Sequence, residues 1–173
     1  MNLRRSVLPA LLTFLALVNL SFLSGESADQ IKVIFFLDPE CPITNTYMLE
    51  IKKIEETYAQ KGVRFEAVFP VKTVTDKQIS TFLKKYKIAF PGHKDPDLSE
   101  AKHYHATVMP QAIVTNKAGL VVYSGAIDNW YYGLGKRRPK ATEFYLRNAI
   151  DATLEGTPVL KTKTEAYGCL INL

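Results

Sequence analysis

The stretch Ile31-Lys32-Val33-Ile34-Phe35-Phe36-Leu37, followed at once by Asp38-Pro39-Glu40-Cys41-Pro42, decides the architecture. A short, almost unbroken apolar run rich in branched and aromatic side chains predicts a strand buried on both faces, as at the centre of a mostly parallel sheet. Asp38 and Pro39 end it. Beyond Cys41, the residues Tyr47, Met48, Ile51, Ile54 and Tyr58 recur at helical spacing over Glu50, Lys52, Lys53, Glu55 and Glu56. This predicts an amphipathic helix from about Pro42 to Gln60, with Pro42 at the first helical position, where its missing N–H costs nothing, and Gly62 just past the end. Cys41 therefore stands where a central strand gives way to a helix.

Working outward, Val63–Phe69 alternates apolar and polar residues and predicts a second strand, stopped by Pro70. Thr75–Ala89 sets Ile79, Phe82, Leu83, Tyr86 and Ile88 near helical spacing, and Phe90–Asp97 has the Pro, Gly, His and Asp of a loop. A short helix is expected around Leu98–His105. Gln111–Thr115, the turn Asn116-Lys117-Ala118-Gly119 and Leu120–Gly125 predict an antiparallel hairpin. Thr142 is expected to cap a last helix ending at Glu155 before Gly156. The order β-α-β-α-α-β-β-α implies an α/β fold with a central mixed four-stranded sheet, helices on both faces and one inserted helix.

The 173 residues contain 47% hydrophobic residues, nine Gly and nine Pro, which excludes collagen-like, low-complexity and disordered classes. Two cysteines cannot make a disulfide scaffold or a Cys-only zinc site. The net charge of +5, from 22 Lys and Arg against 17 Asp and Glu, fits a solvated basic surface, with an acidic partner or an anionic membrane as the alternative, and no basic stripe interleaved with aromatics points to nucleic acid. Residues 1–28 read as a signal peptide or N-terminal anchor: Arg4 and Arg5 precede a nearly uncharged run, with membrane attachment through residues 6–23 as the alternative to cleavage near Gly25 and Ser27. The expected organisation is this leader, a domain over 29–157, and a tail over 158–173 carrying Cys169. The compartment is extracytoplasmic, periplasmic or secreted, where a disulfide can persist.

At the junction, free helix N–H groups and the positive end of the helix dipole favour a thiolate on Cys41. Prolines on both sides argue for an accessible sulfur, and Thr44, three residues on, is placed to add a hydroxyl hydrogen bond to it. A thiolate attacks disulfides and peroxides, so the position suits a nucleophile; the plainer alternative is a buried structural cysteine.

Leu37-Asp38-Pro39-Glu40-Cys41-Pro42-Ile43-Thr44 resembles the active-site junction of thioredoxin-like redoxins. Ala106-Thr107-Val108-Met109-Pro110 is similar to the loop of that fold whose proline is cis, which lies against the reactive sulfur and holds the substrate chain. Gly135-Lys136-Arg137-Arg138 with Thr142, and Gly168-Cys169-Leu170-Ile171, resemble extracytoplasmic bacterial redoxin-domain proteins, so the similarity spans about residues 30–173. The resemblance implies a thioredoxin-like fold and a thiol–disulfide oxidoreductase. It assigns nucleophilic attack to Cys41 with Thr44 assisting, substrate contact to Pro42, Met109 and Pro110, and no cofactor or metal. The partners implied are a protein or small-molecule disulfide substrate and an external thiol reductant.

Two departures qualify the pattern. A C-x-x-C motif needs a second cysteine at position 44, where the chain has Thr44. The peroxidase pattern P-x-x-x-T-x-x-C needs a proline at 34 and a threonine at 38, where it has Ile34 and Asp38. A non-catalytic binding module and an antioxidant thiol peroxidase thus stand as alternatives. Cys169 is 128 positions beyond Cys41, and three roles are open to it: resolving cysteine, half of a permanent disulfide, or partner of a cysteine in another molecule.

Other residues carry weaker signals. His103 and His105 with Cys41 would be a copper or zinc ligand set, but side chains two apart on a helix diverge by about 200°. Trp130, Tyr131 and Tyr132 would form a substrate wall or pack beneath a loop. Lys136, Arg137, Arg138 and Lys140 would dock an acidic partner or form a solvated face.

Overall fold

The computed structural model describes residues 29–173; the leader, with its signal or anchor, lies outside them. Strand β1 (Lys32–Phe36) leads through a tight turn into α1 (Pro42–Tyr58), a 3-10 turn over Ala59–Lys61 and β2 (Arg64–Phe69). Then come α2 (Asp76–Lys85), β3 (Gly92–Lys94), α3 (Ser99–His103), β4 (Val108–Met109), β5 (Gln111–Thr115) and β6 (Val121–Gly125). The chain finishes with the small hairpin β7 (Tyr131–Gly133) and β8 (Lys136–Arg137), α4 (Tyr145–Glu155) and β9 (Cys169–Leu170).

The main sheet runs β3-β2-β1-β5-β6. β1 pairs parallel with β2 and antiparallel with β5, so the apolar run quoted first is indeed the central strand. Its alternate residues serve two cores, as period-two geometry dictates. Val33, Phe35 and Leu37 face α1, α2 and α4, among Met48, Ile51, Phe82 and Ile150. Ile34 and Phe36 face the other side, where Ala101 of α3, Met109 and Ile171 of the tail close a smaller cluster. The mixed α/β fold with helices on both faces is as expected.

Three details differ from the sequence reading. The sheet has five strands rather than four: the expected loop over Phe90–Asp97 contains β3, a parallel edge strand. Its place is set by main-chain bonds from Ala67 N–H to Pro91 O and from Asp95 N–H to Phe69 O, both 2.9–3.0 Å. Side chains contribute little pattern, since His93 and Lys94 are exposed. Gly92 allows the close approach, because a Cβ there would meet Phe69, Leu83 and Ile79 at 2.9–3.2 Å. Thr142 does not cap α4, which starts at Tyr145 after Phe144. Asn129 reorganises that loop, accepting from the Thr142 and Glu143 N–H groups on its Oδ1 and donating to Thr142 Oγ1. The tail is also not wholly irregular. β9 pairs antiparallel with β4, and Lys163 bridges to Ser124.

Candidate active site

Cys41 occupies the N-cap of α1 with extended φ,ψ of −71° and 118°. The turn before it is fixed by Asp38, whose carbonyl accepts from Cys41 N–H at 3.2 Å and whose Oδ1 accepts from Glu40 N–H at 2.9 Å. Exposed Pro42 begins the helix, and Asn45 N–H returns to Cys41 O at 3.0 Å. The strand-to-helix placement of the sulfur is thus as read from the sequence.

Its expected accessibility is not: Cys41 is 1% exposed. Two segments remote in sequence meet it. The Met109–Pro110 peptide is cis, and Cys41 Sγ donates to Met109 O at 3.2 Å. From the other direction, β9 registers Cys169 opposite Met109 and Leu170 opposite Val108. Both cysteines are free thiols, and Cys169 Sγ donates to Cys41 Sγ across 2.6 Å. A disulfide of about 2.05 Å is therefore a small displacement away. The sulfur is buried because a tail without periodicity folds back over it, a contact no local pattern announces.

The thiols are not equivalent. Burial pushes Cys169 up to about 12, aided by its hydrogen bond to Cys41, the charge of Cys41 and the Asp38 carboxylate. Cys169 therefore holds its proton at neutral pH, and Asp38 acts on both the turn and the second sulfur. Thr44 is fully buried but its hydroxyl has no hydrogen-bond partner, so the expected bond to Cys41 is not made in the dithiol state.

The cis-proline loop is held from behind by Gln111, a residue the sequence reading passed over as part of a strand. Its Oε1 accepts from Thr107 N–H at 3.0 Å and its Nε2 donates to Ser124 Oγ at 3.1 Å. A second unforeseen pair is Tyr47 and Asp128. The Tyr47 hydroxyl donates to Asp128 Oδ1 at 2.7 Å, which also accepts from Trp130 N–H at 2.8 Å. Burial raises both the Asp128 carboxyl and the Tyr47 phenol above their ordinary ranges. With Pro110, Tyr131 and Tyr167 they line a niche of about 10 Å³, room for a single water. A polar residue inside a sheet or loop carries no spacing signal, which is why neither group stood out.

The other sequence candidates lie apart. Trp130 and Tyr131 pack against Tyr47, with ring centroids 5.7 Å away in each case, leaving Tyr132 exposed. Arg138 donates to Asn129 O at 2.6 Å and lies over Tyr132, while Arg137 lies over Trp130, so this part of the basic run is engaged within the fold. Among the described residues no three of His, Cys, Asp and Glu cluster to hold a metal ion, so His103, His105 and Cys41 do not form the three-ligand set considered above. Nor is any described helix long and apolar enough to cross a membrane.

The redoxin family model matches residues 13–129. The chain belongs to the redoxin family. The matched span contains Cys41 and Pro110 and ends before the tail that carries Cys169. Among solved structures, a hypothetical protein from Sinorhizobium meliloti is 27% identical with TM-score 0.73, over 84% of this chain and 80% of its own. An uncharacterised conserved protein from Geobacillus kaustophilus is 25% identical with TM-score 0.71, over 84% and 78%. A secreted Mycobacterium tuberculosis disulfide oxidoreductase homologous to E. coli DsbE shares the fold at 17% identity and TM-score 0.52, over 72% and 82%. No curated protein matches the chain.

Proposed function

We propose that this redoxin is an exported thiol–disulfide oxidoreductase in which Cys41 is the nucleophile and Cys169 the resolving cysteine. The observation that carries the reading is the pair of free sulfurs 2.6 Å apart beside the cis Met109–Pro110 peptide. Cys41, deprotonated, attacks one sulfur of a protein or small-molecule disulfide. A Cys41 mixed disulfide forms, the substrate S–S bond breaks, and the departing half leaves as a thiolate that takes up the proton. Cys169 then loses its proton and attacks Cys41 Sγ, forming a Cys41–Cys169 disulfide and releasing the second substrate thiol. An external thiol reductant returns both electrons and both protons. Thr44 supports the first step: one turn from Cys41, its buried unpaired hydroxyl is a donor for a sulfur that becomes anionic. Pro42 borders the site from the exposed side, with Met109 and Pro110 forming its wall.

Export is supported by the Arg4-Arg5 and apolar leader, with an anchor through residues 6–23 as the alternative to cleavage, and by the secreted fold relative. The test is turnover of a disulfide substrate with thiol reductant. Cys41→Ser is expected to abolish it, while Cys169→Ser accumulates a mixed disulfide on Cys41. Unchanged turnover in Cys41→Ser overturns the proposal. The near-complete burial of Cys41 favours one other reading, a permanent staple pinning the tail. Closing a loop of 128 positions stabilises by about 5 kcal/mol in the chain-entropy model.

A further inference from the structure

We propose that the chain's own C-terminal segment is a resident pseudosubstrate of the strand slot along β4, and that the slot selects extended polypeptides of the pattern that segment carries, Gly–Cys–any residue–apolar. The inference rests on the oxidoreductase reading and deepens it to a substrate class. Main-chain pairing of Val108 with Leu170 and Met109 with Cys169, continued by Ile171 N–H to Thr107 O at 2.9 Å, holds the segment without regard to sequence. Selectivity comes from what each position allows. At Gly168 a Cβ would lie 2.0 Å from Met109 O and 2.6 Å from its carbonyl carbon, both backbone atoms, so no side chain fits. The next residue delivers its sulfur to Cys41. Leu170 is 72% exposed and unconstrained. Ile171 is 6% exposed and enters the apolar cluster of Ile34, Phe36, Val68 and Met109.

With the segment docked, Cys41 is 1% exposed, so an external disulfide reaches it only after the segment leaves. A substrate strand whose cysteine is in a disulfide takes the vacated slot. Cys41 attacks that sulfur, the substrate S–S bond breaks, and the other half departs as a thiol with the Cys41 proton. The returning tail competes for the same backbone groups and brings Cys169 to Cys41. Cys169 gives up its proton, the Cys41–Cys169 bond forms, and the peptide leaves as the second thiol. Resolution and product release thereby share one strand exchange, and two electrons pass from the dithiol to the substrate.

The test uses full-length Cys169→Ser protein and three peptides, each joined through its cysteine to a small aromatic thiol: Tyr-Gly-Cys-Leu-Ile-Asn, the same with Val replacing Gly, and the same with Asp replacing Ile. The expected result is that the first loads Cys41 about tenfold or more faster than either other, a difference of about 1.4 kcal/mol. A second variant, Gly168→Val with Cys169→Ser, expels the tail, speeding the first peptide while preserving the order. Loading of all three peptides within twofold of one another overturns the inference. The symmetric aromatic disulfide, which has no strand, separates the two failures. If it modifies Cys41 while the peptides are not distinguished, strand recognition alone is wrong. If it leaves Cys41 unmodified even in the Gly168→Val, Cys169→Ser protein, the nucleophile assignment falls, and the recognition proposal with it.

Discussion

Truncating Ile171 to alanine is the sharpest probe of how the reactive sulfur is covered. The side chain is 6% exposed within the smaller core, whereas Leu170 and Leu173 on either side are 72% and 59% exposed. It is therefore the principal apolar anchor of a segment whose main chain is held here by a two-residue ladder and the bond from Ile171 N–H to Thr107 O. Removing a buried isoleucine to alanine costs about 2–5 kcal/mol, and a site beside a two-residue strand that can collapse belongs at the lower limit. Because the ladder is so short, this loss falls on local docking of the tail rather than on the five-stranded sheet. A loss of about 2 kcal/mol multiplies the undocked population about 30-fold. Timed alkylation of the reduced protein, resolved by mass spectrometry of the fragment containing Cys41, reads that population. The Cys41 rate is expected to rise about 30-fold, with Leu173→Ala as an unaffected control. A Cys41 rate within twofold of wild type, alongside a faster Cys169, would show that something other than the tail buries the sulfur and refute this reasoning.

Three further outcomes are expected. Thr44→Val removes a buried, unpaired hydroxyl and should stabilise the dithiol protein by about 1–2 kcal/mol in denaturant titration while slowing attack by Cys41; a variant neither more stable nor slower would count against the assisting role. Because Cys169 is pushed up to about 12 in the dithiol protein, the rate of its alkylation there should climb with pH beyond the ordinary thiol value of about 8.5. Asp38→Asn should lower the Cys169 pKa and speed that alkylation at fixed pH while its remaining oxygen keeps the turn, and a wild-type plateau near 8.5 would contradict both statements. The raised Asp128 carboxyl means that the folded chain binds a proton more readily than the unfolded one, so its contribution is full at low pH and is lost as pH rises through its folded pKa. Asp128→Asn should remove that dependence in thermal melts, whereas Asp128→Ala should cost about 1–3 kcal/mol at neutral pH by orphaning the Tyr47 hydroxyl and Trp130 N–H.

The elements that were legible in the sequence are those whose burial imposes a period. β1 is apolar almost throughout because both faces are covered, and α1 shows its buried stripe from Tyr47 to Tyr58. The cis state of Met109–Pro110 was available only through resemblance, since neither residue signals it. β3 and β9 were hidden because three- and two-residue strands are defined by main-chain pairing, which leaves almost no trace in side chains. Cys169 was recognisable as a second sulfur, but its position depends on Gly168 permitting contact with Met109 and on Ile171 filling a gap across the sheet. For the same reason Cys41 looked open at its junction: the cover comes from Met109, 68 positions away, and from Cys169, 128 positions away. Asn129 displaced Thr142 as organiser of the last helix's entry because one amide there satisfies three polar groups.

The most direct test of the central claim is an equilibrium redox titration of the full chain, with the Cys41–Cys169 linkage followed by non-reducing peptide mapping. A catalytic pair should close and reopen reversibly at a potential above about −300 mV. A linkage that stays closed well below that potential, or one that never joins these two cysteines, would contradict it.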